Sequence, residues 1–262
     1  MPNLLLEIKG AIAYVSLNRP EKRNAMPFSL LMDLIATAKQ LKNNKQIRCV
    51  ILMGQGESFS AGIDLNDLNQ PKNRLFAFWQ LIKPGQSVFQ TAFLIWQTLP
   101  FPVIAVLHGH CFGAGMQLAL AADFRIATPD CQLSIMESRW GLVPDMGITQ
   151  TLRGLVASDI AKELTFSGRI LNGTEAKSLG LISTVTETPL TAAIELAERL
   201  CQQSPDALHA GKQVINAMYL KPSKALRLEK IWQLKLLLGK NSRLARKAGK
   251  GHEVEFAPRQ YD

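Results

Sequence analysis

Leu, Ile and Val crowd residues 4–9 and 12–17 on either side of Lys9-Gly10, a pattern that predicts a β-hairpin. Apolar residues then recur at helical spacing over 28–41. The run at 49–53, closed by Gly54-Gln55-Gly56, predicts a short buried strand, as does the run at 103–107, which leads through Gly109 into a helical pattern over 115–122. Spacing further predicts a strand at 124–127, helices at 148–155, 161–166 and 174–179, and a strand at 181–185. Strand alternating with helix argues for an α/β fold with crossover connections. From Leu190 onward the period is helical only, through Ala193, Leu196, Ala197 and Leu200 and then over 207–218 and 226–238, with Pro205 and Pro222 suited to first turns. The expected organisation is an α/β body over 1–190 and a helical segment over 191–262, without internal repeats or a low-complexity linker.

Composition narrows the class. At 262 residues, 47% hydrophobic and 19% charged, the chain has the balance of an ordinary globular protein with one active site. The apolar run at 101–107 is far short of the roughly 20 residues a membrane span needs. The opening MPNLLLEIKG carries no signal or transit pattern, so a cytoplasmic location is expected. Cys49, Cys111, Cys131 and Cys201 are dispersed, which suits reduced, mostly buried thiols better than a disulfide framework or a zinc site. The net charge of +9 sits mainly at the C-terminal end, where 201–262 holds twelve basic and five acidic residues. Such an excess favours acidic or phosphate-bearing partners, although a solvated helix face is the plainer account.

Three segments could carry chemistry. Phe59-Ser60-Ala61-Gly62-Ile63-Asp64 is a turn of small residues between a strand and a helix starting near Asp64, where a ligand can approach the backbone. Gly109-His110-Cys111-Phe112-Gly113-Ala114-Gly115 also joins strand to helix, and its free N–H groups suit an anion or a developing oxyanion. Neither is a Walker loop or a dinucleotide fingerprint, and each alone is more often just a tight turn. In the third, Glu137 and Asp145 stand eight residues apart across Gly141 and Pro144, a spacing that can turn both acids into one cavity. Structural roles compete: Glu137 paired with Arg139 on the surface, and Asp145 as N-cap of a helix starting at Met146. His108 and His110 lack zinc-type spacing, so no metal is expected. Phe76, Phe78, Trp79, Phe89, Phe93 and Trp96 suit helix packing or the wall of an apolar pocket.

Taken in order, Asn18-Arg19-Pro20-Glu21-Lys22-Arg23-Asn24-Ala25-Met26, Phe59-Ser60-Ala61-Gly62-Ile63-Asp64-Leu65, Pro102-Val103-Ile104-Ala105, Gly113-Ala114-Gly115 and Ala121-Ala122-Asp123 resemble the motifs of the crotonase (enoyl-CoA hydratase/isomerase) family. The resemblance implies a spiral of ββα units followed by a helical trimerisation segment, assembled as trimers or paired trimers. It implies a coenzyme A thioester whose carbonyl oxygen is held by two backbone N–H groups, here those of Ala61 and Ala114. Such donors are worth about 3–4 kcal/mol each when aimed at developing charge. The coenzyme would lie near Arg23, Ala25, Ala61, Asp64 and Leu65. It is part of the substrate, with no permanently bound cofactor implied and neither nucleic acid nor a membrane as the expected partner.

Departures from the pattern bear on the reaction. Hydratases of the family are similar in having two glutamates that position and activate water; the first of these positions is Gln117 here, and the second matches Glu137. An amide can hold a water but cannot exchange its proton as an acid does, whereas one carboxylate beside an enolate-stabilising hole suffices for a double-bond shift. The place of Asp145 relative to Glu137 is similar to that in dienoyl-CoA isomerases. It is also similar to that in 3-hydroxyisobutyryl-CoA hydrolases, whose chains are generally longer; the aspartate nucleophile of 4-chlorobenzoyl-CoA dehalogenases occupies a matching position too, but Glu137 is not the residue type found there. The expected activity is therefore enoyl- or dienoyl-CoA isomerisation with Glu137 and Asp145 as proton shuttle. Hydration, thioester hydrolysis and a non-catalytic acyl-CoA- or RNA-binding role are the alternatives.

Overall fold

The computed structural model describes residues 2–261. The hairpin forms as β1 (Leu4–Lys9) and β2 (Ile12–Leu17), antiparallel, with Leu4 opposite Leu17 and Lys9 opposite Ile12. Helix α1 (Phe28–Asn43) buries Leu30, Leu31, Leu34, Ile35, Ala38 and Leu41, the three-and-four spacing that makes one apolar stripe. It returns the chain to β3 (Cys49–Gly54), which runs parallel to β2. Three helices follow: α2 (Leu65–Leu68), α3 (Pro71–Ile82) and α4 (Val88–Gln97), the last begun by a capping box in which Ser87 and Gln90 serve each other's backbone N–H. Strand β4 (Val103–Leu107) then joins β3 in parallel.

Beyond β4 the chain leaves the main sheet for β5 (His110–Phe112) before α5 (Ala114–Leu120). It repeats the move with β6 (Phe124–Ala127), beside β4, and β7 (Gln132–Ser134), beside β5. Ser60 makes the equivalent excursion after β3, bridging to Cys111. This recurrence of main strand, side strand and helix is the expected spiral. A 3-10 turn at Glu137–Trp140 leads to α6 (Ile148–Thr151), α7 (Ser158–Ser167) and α8 (Gly173–Ser178), and β8 (Thr184–Val185) completes the order β1-β2-β3-β4-β6-β8.

Both faces of the sheet are covered, which is why β3 and β4 are apolar throughout. Val50, Leu52, Val103 and Ala105 face the side of α1 and α4, while Cys49, Ile51, Ile104 and Val106 meet Ala193 and Ala197 of α9 (Pro189–Cys201). Helix α9 therefore belongs to the sheet, so a boundary at 190 divides elements that pack together. Helices α10 (Pro205–Asn216), α11 (Pro222–Leu238) and α12 (Lys240–Ala248) follow. A tail folds back over them: the buried Asp206 carboxylate accepts from Asn241 Nδ2 at 2.8 Å and from the Gln260 amide at 2.7 Å, and Gln260 Oε1 accepts from the first amides of α12.

Several expected boundaries move. The helix expected over 148–155 ends at Thr151, and the strand expected over 181–185 shrinks to Thr184–Val185, with Leu181 and Ile182 buried in a loop whose Leu181 carbonyl accepts from Arg125 Nε at 2.7 Å. Asp145 does not cap a helix; Gly147 stands at the start of α6. All four cysteines are free, three of them buried. The aromatic cluster divides, Phe89, Phe93 and Trp96 entering the core while Phe76, Phe78 and Trp79 lie exposed. No helix among the described residues is long and apolar enough to cross a membrane.

Candidate active site

The first turn is built by alternation of the backbone. Ser60 bonds toward β5, its amide to the His110 carbonyl and its carbonyl to the Phe112 amide. Ala61 therefore faces the other way, and its N–H donates to the Arg23 carbonyl at 2.8 Å. That bond corrects the expectation that Ala61 supplies an oxyanion donor, because its amide is already spent in tying the turn to the 19–26 loop. At Gly62 the backbone takes φ +102°, open to glycine at little cost, and the alternation changes phase. Gly62 O and Asp64 N now both bond Met26, so the N–H of Ile63, between them, points away from Met26. It finds no acceptor among the described residues.

The second free amide lies close by. Gly113 donates to Ser134 O and starts α5, leaving the Ala114 N–H without an intrahelical acceptor. A Cβ on Gly62 would stand 3.0 Å from Phe112 O and 3.6 Å from Ala114 N, which places the two turns side by side. The amide of Ala114 is thus free, and beside it the free amide is that of Ile63 rather than of Ala61. Arg23, Ala25, Ala61 and Asp64 form one knot beneath them: Arg19 Nη1 reaches Ala25 O at 2.6 Å and Asp64 Oδ2 at 2.9 Å, and Asp64 caps α2 through the amides of Asn66 and Asp67. Burial opposes ionisation of Asp64, but the Arg19 bond and these amides outweigh it and hold the carboxyl below its usual value. Leu65 and Arg23 lie exposed at the edge.

The acids converge as the spacing suggested. Glu137 enters on the 3-10 turn after β7 and makes no ion pair with Arg139 among the described residues; its Oε1 instead accepts from Gln117 Nε2 at 2.6 Å. Gln117, fully buried on α5, accepts through its own Oε1 from the Met146 amide at 3.0 Å, next to Asp145. The second oxygen of Glu137, Oε2, is buried with no partner. Burial raises the Glu137 pKa, and the charge of Asp145 adds to the rise against the opposing bonds from its own backbone and Gln117. Asp145 is raised as well, by burial. The arrangement offers two backbone donors for an anionic oxygen and, beside them, a carboxyl group poised to exchange a proton. His110 bonds Ser58 and His108 faces Gly56 O; among the described residues no three His, Cys, Asp or Glu side chains converge on a metal site.

The family model for enoyl-CoA hydratase/isomerase matches residues 7–237. The chain belongs to the enoyl-CoA hydratase/isomerase family. Among its relatives, the mitochondrial Delta(3,5)-Delta(2,4)-dienoyl-CoA isomerase of Mus musculus is 36% identical over 218 residues, which cover 79% of this chain and 66% of that one. The short-chain-enoyl-CoA hydratase of Clostridium acetobutylicum is 32% identical over 220 residues, covering 82% and 81%. The crystal structure of enoyl-CoA hydratase from Bacillus anthracis matches with a TM-score of 0.87 at 30% identity, covering 95% of this chain and 96% of that one. Both isomerases and hydratases thus stand among the relatives of this hydratase/isomerase-family chain.

The sequence gives no direct sign of the free Ile63 amide, since a backbone donor leaves no trace in side-chain chemistry. The available signal was Gly62: a glycine inside a bridged segment changes which amides face the ligand side.

Proposed function

We propose that this chain is an acyl-CoA double-bond isomerase acting on enoyl- or dienoyl-CoA thioesters, with Ile63 and Ala114 as oxyanion donors and Glu137, assisted by Asp145, as proton shuttle. The observation that carries the reading is the state of Glu137: one oxygen tied to an amide where hydratases are similar in having a second acid, the other buried and bare. The thioester oxygen accepts from the two amides, Glu137 Oε2 takes a proton from the α-carbon, and the electron pair moves onto the carbonyl oxygen as an enolate. Collapse of the enolate shifts the double bond, and a proton returns at the far end of the conjugated system. For a diene that end lies farther off, which gives Asp145 its use. Coenzyme A arrives with the substrate, at the edge formed by Arg23, Ala25, Asp64 and Leu65, and no resident cofactor is required. Assembly as a trimer or pair of trimers belongs to the same reading, supported by the exposed Leu226, Leu234, Leu237 and Leu238 of α11.

The test is incubation with 3-enoyl-CoA and 3,5-dienoyl-CoA in deuterated water, followed by mass spectrometry. Deuterium entering the acyl chain with migration of the double bond and no added water is the expected result. Net addition of water would make the chain a hydratase, the activity named for the Clostridium relative, and release of free coenzyme A would make it a hydrolase.

A further inference from the structure

We infer that Gly168, the residue that closes α7, is a positioning residue for Glu137: its bare Cα is the seat on which the 3-10 turn carrying the acid rests, at a height that sets the carboxyl against the Ala114 amide. This rests on Glu137 being the proton carrier of the proposed reaction, and it adds a residue outside the site on which that role depends. Gly168 ends α7 in the left-handed region, at φ +56° and ψ 23°, with its N–H donating to Leu164 O at 3.1 Å. Its carbonyl accepts from Ser134 Oγ at 2.9 Å, and a little farther on Leu171 and Leu133 exchange backbone hydrogen bonds, so the segment after α7 is zipped along β7. Ser134 is buried, and its own carbonyl accepts from the Gly113 N–H at 2.9 Å. One serine thus ties the end of α7 to the turn that opens α5. Glu137 follows three residues later, and a Cβ on Gly113 would stand 3.5 Å from its Oε1.

The height of the turn above that frame is set by contact. A Cβ at position 168 would stand 3.1 Å from Ser138 Oγ, 3.1 Å from Arg139 Cγ and 3.3 Å from Arg139 Nε, each closer than ordinary van der Waals contact. Arg139 is exposed, so its long side chain can swing aside. Ser138 has no such room, because its hydroxyl is buried against the seat and makes no hydrogen bond among the described residues. A methyl group at 168 must therefore lift the turn by a few tenths of an ångström, and the Glu137 carboxyl, one residue away, moves with it. Only glycine combines the left-handed cap of α7 with so close an approach.

The experiment compares Gly168→Ala, Ser138→Ala and the two together. In Gly168→Ala, kcat for isomerisation should fall roughly 10–100-fold with KM for the acyl-CoA little changed, as misplacement of a reacting group does. Its melting temperature should fall as well, since the left-handed region is costly for alanine. Ser138→Ala alone should keep the wild-type kcat. In the double variant the oxygen that the methyl group meets is gone, so kcat should return to within about 3-fold of wild type while the melting temperature stays low, a split that a merely structural role for Gly168 would not produce. The Glu137 carboxyl resonance, followed by carbon NMR of the labelled protein, should be displaced in Gly168→Ala and restored in the double variant. Gly168→Asn puts a Cβ at the same point in a residue better suited to the left-handed region, and it replaces Gly168→Ala where that protein does not fold. An unmoved Glu137 resonance in Gly168→Ala would overturn the proposal, as would a double variant with the kcat of Gly168→Ala. The NMR comparison needs no turnover, so a wild type that isomerises no enoyl-CoA would sink the isomerase reading while the seat was still read directly.

Discussion

Glu137 joins two opposing demands in one side chain. Burial and the nearby Asp145 make its ionised form costly, and that cost is what would make it a better proton carrier than an exposed carboxylate in the reaction proposed above. The same shift weakens the fold. A carboxyl whose pKa is higher folded than unfolded contributes stability that is fully present below the ordinary glutamate value of 4.5 and is lost as pH rises through the folded value. Glu137→Gln should therefore lose about 10²–10⁴-fold in turnover while melting above the wild type at pH 7, with the difference closing by pH 4. Thermal unfolding at the two pH values checks the sign. Gly62 poses the opposite case, a residue without a side chain that positions two amides. A methyl group there meets Phe112 O at 3.0 Å in a backbone region that L-residues avoid, so Gly62→Ala should lower the melting temperature. It should lower kcat/KM about 10²-fold or more, because the Ile63 amide turns with it. Wild-type kcat/KM in a destabilised Gly62→Ala protein would remove Ile63 from the oxyanion site.

At the scale of elements, helix α10 is fastened to the loops leading into β4 and β6 by a half-buried ion pair, Lys212 Nζ to Asp123 Oδ2 at 2.6 Å, with a further bond from Lys212 to Phe101 O at 3.1 Å. Asp123 also accepts from the Val103 amide, so losing the lysine leaves its carboxylate with that amide and solvent. Lys212→Met should cost about 1–3 kcal/mol of unfolding free energy in a denaturant titration, and it should expose α10 to proteolysis first. The elements legible from the sequence were those whose burial repeats over many residues: the hairpin, α1, and β3 and β4, whose unbroken apolar runs record a sheet covered on both faces. Strands β5 and β7, three residues each, are too short to show a period, and β8 holds two. In the candidate site, Glu137, Asp145 and Ala114 were legible because their residue types or glycine neighbours announce them. Ile63 was not, and the Gln117 bond to Met146 was not, since a backbone partner can be any residue.

For the molecule as a whole, apolar side chains outside the core gather on α3 and α11, where Leu75, Phe78, Trp79, Leu81 and Ile82 and then Leu226, Leu234, Leu237 and Leu238 are exposed. Surface of this kind is normally covered. Sedimentation velocity at micromolar concentration should show a trimer or a multiple of it, and a monomer there would end the assembly proposed above. Residues 221–250 hold ten Lys or Arg and one Glu, so assembly must bring like charges together and should tighten as salt is added.

The segment that folds back over α10 and α12 also reaches the first helix, for Arg259 Nη2 donates to the carbonyl of Lys42, in the last turn of α1, across 217 residues. On a ribosome the first helix emerges long before this partner exists. A nascent chain can pair β1 with β2 and dock α1, yet Lys42 and the buried Asp206 must wait until residues 259 and 260 are made. A chain cut before Arg259 would thus keep every strand of its sheet and lack these hydrogen bonds, a product a quality-control protease can recognise by its loose end rather than by a damaged core.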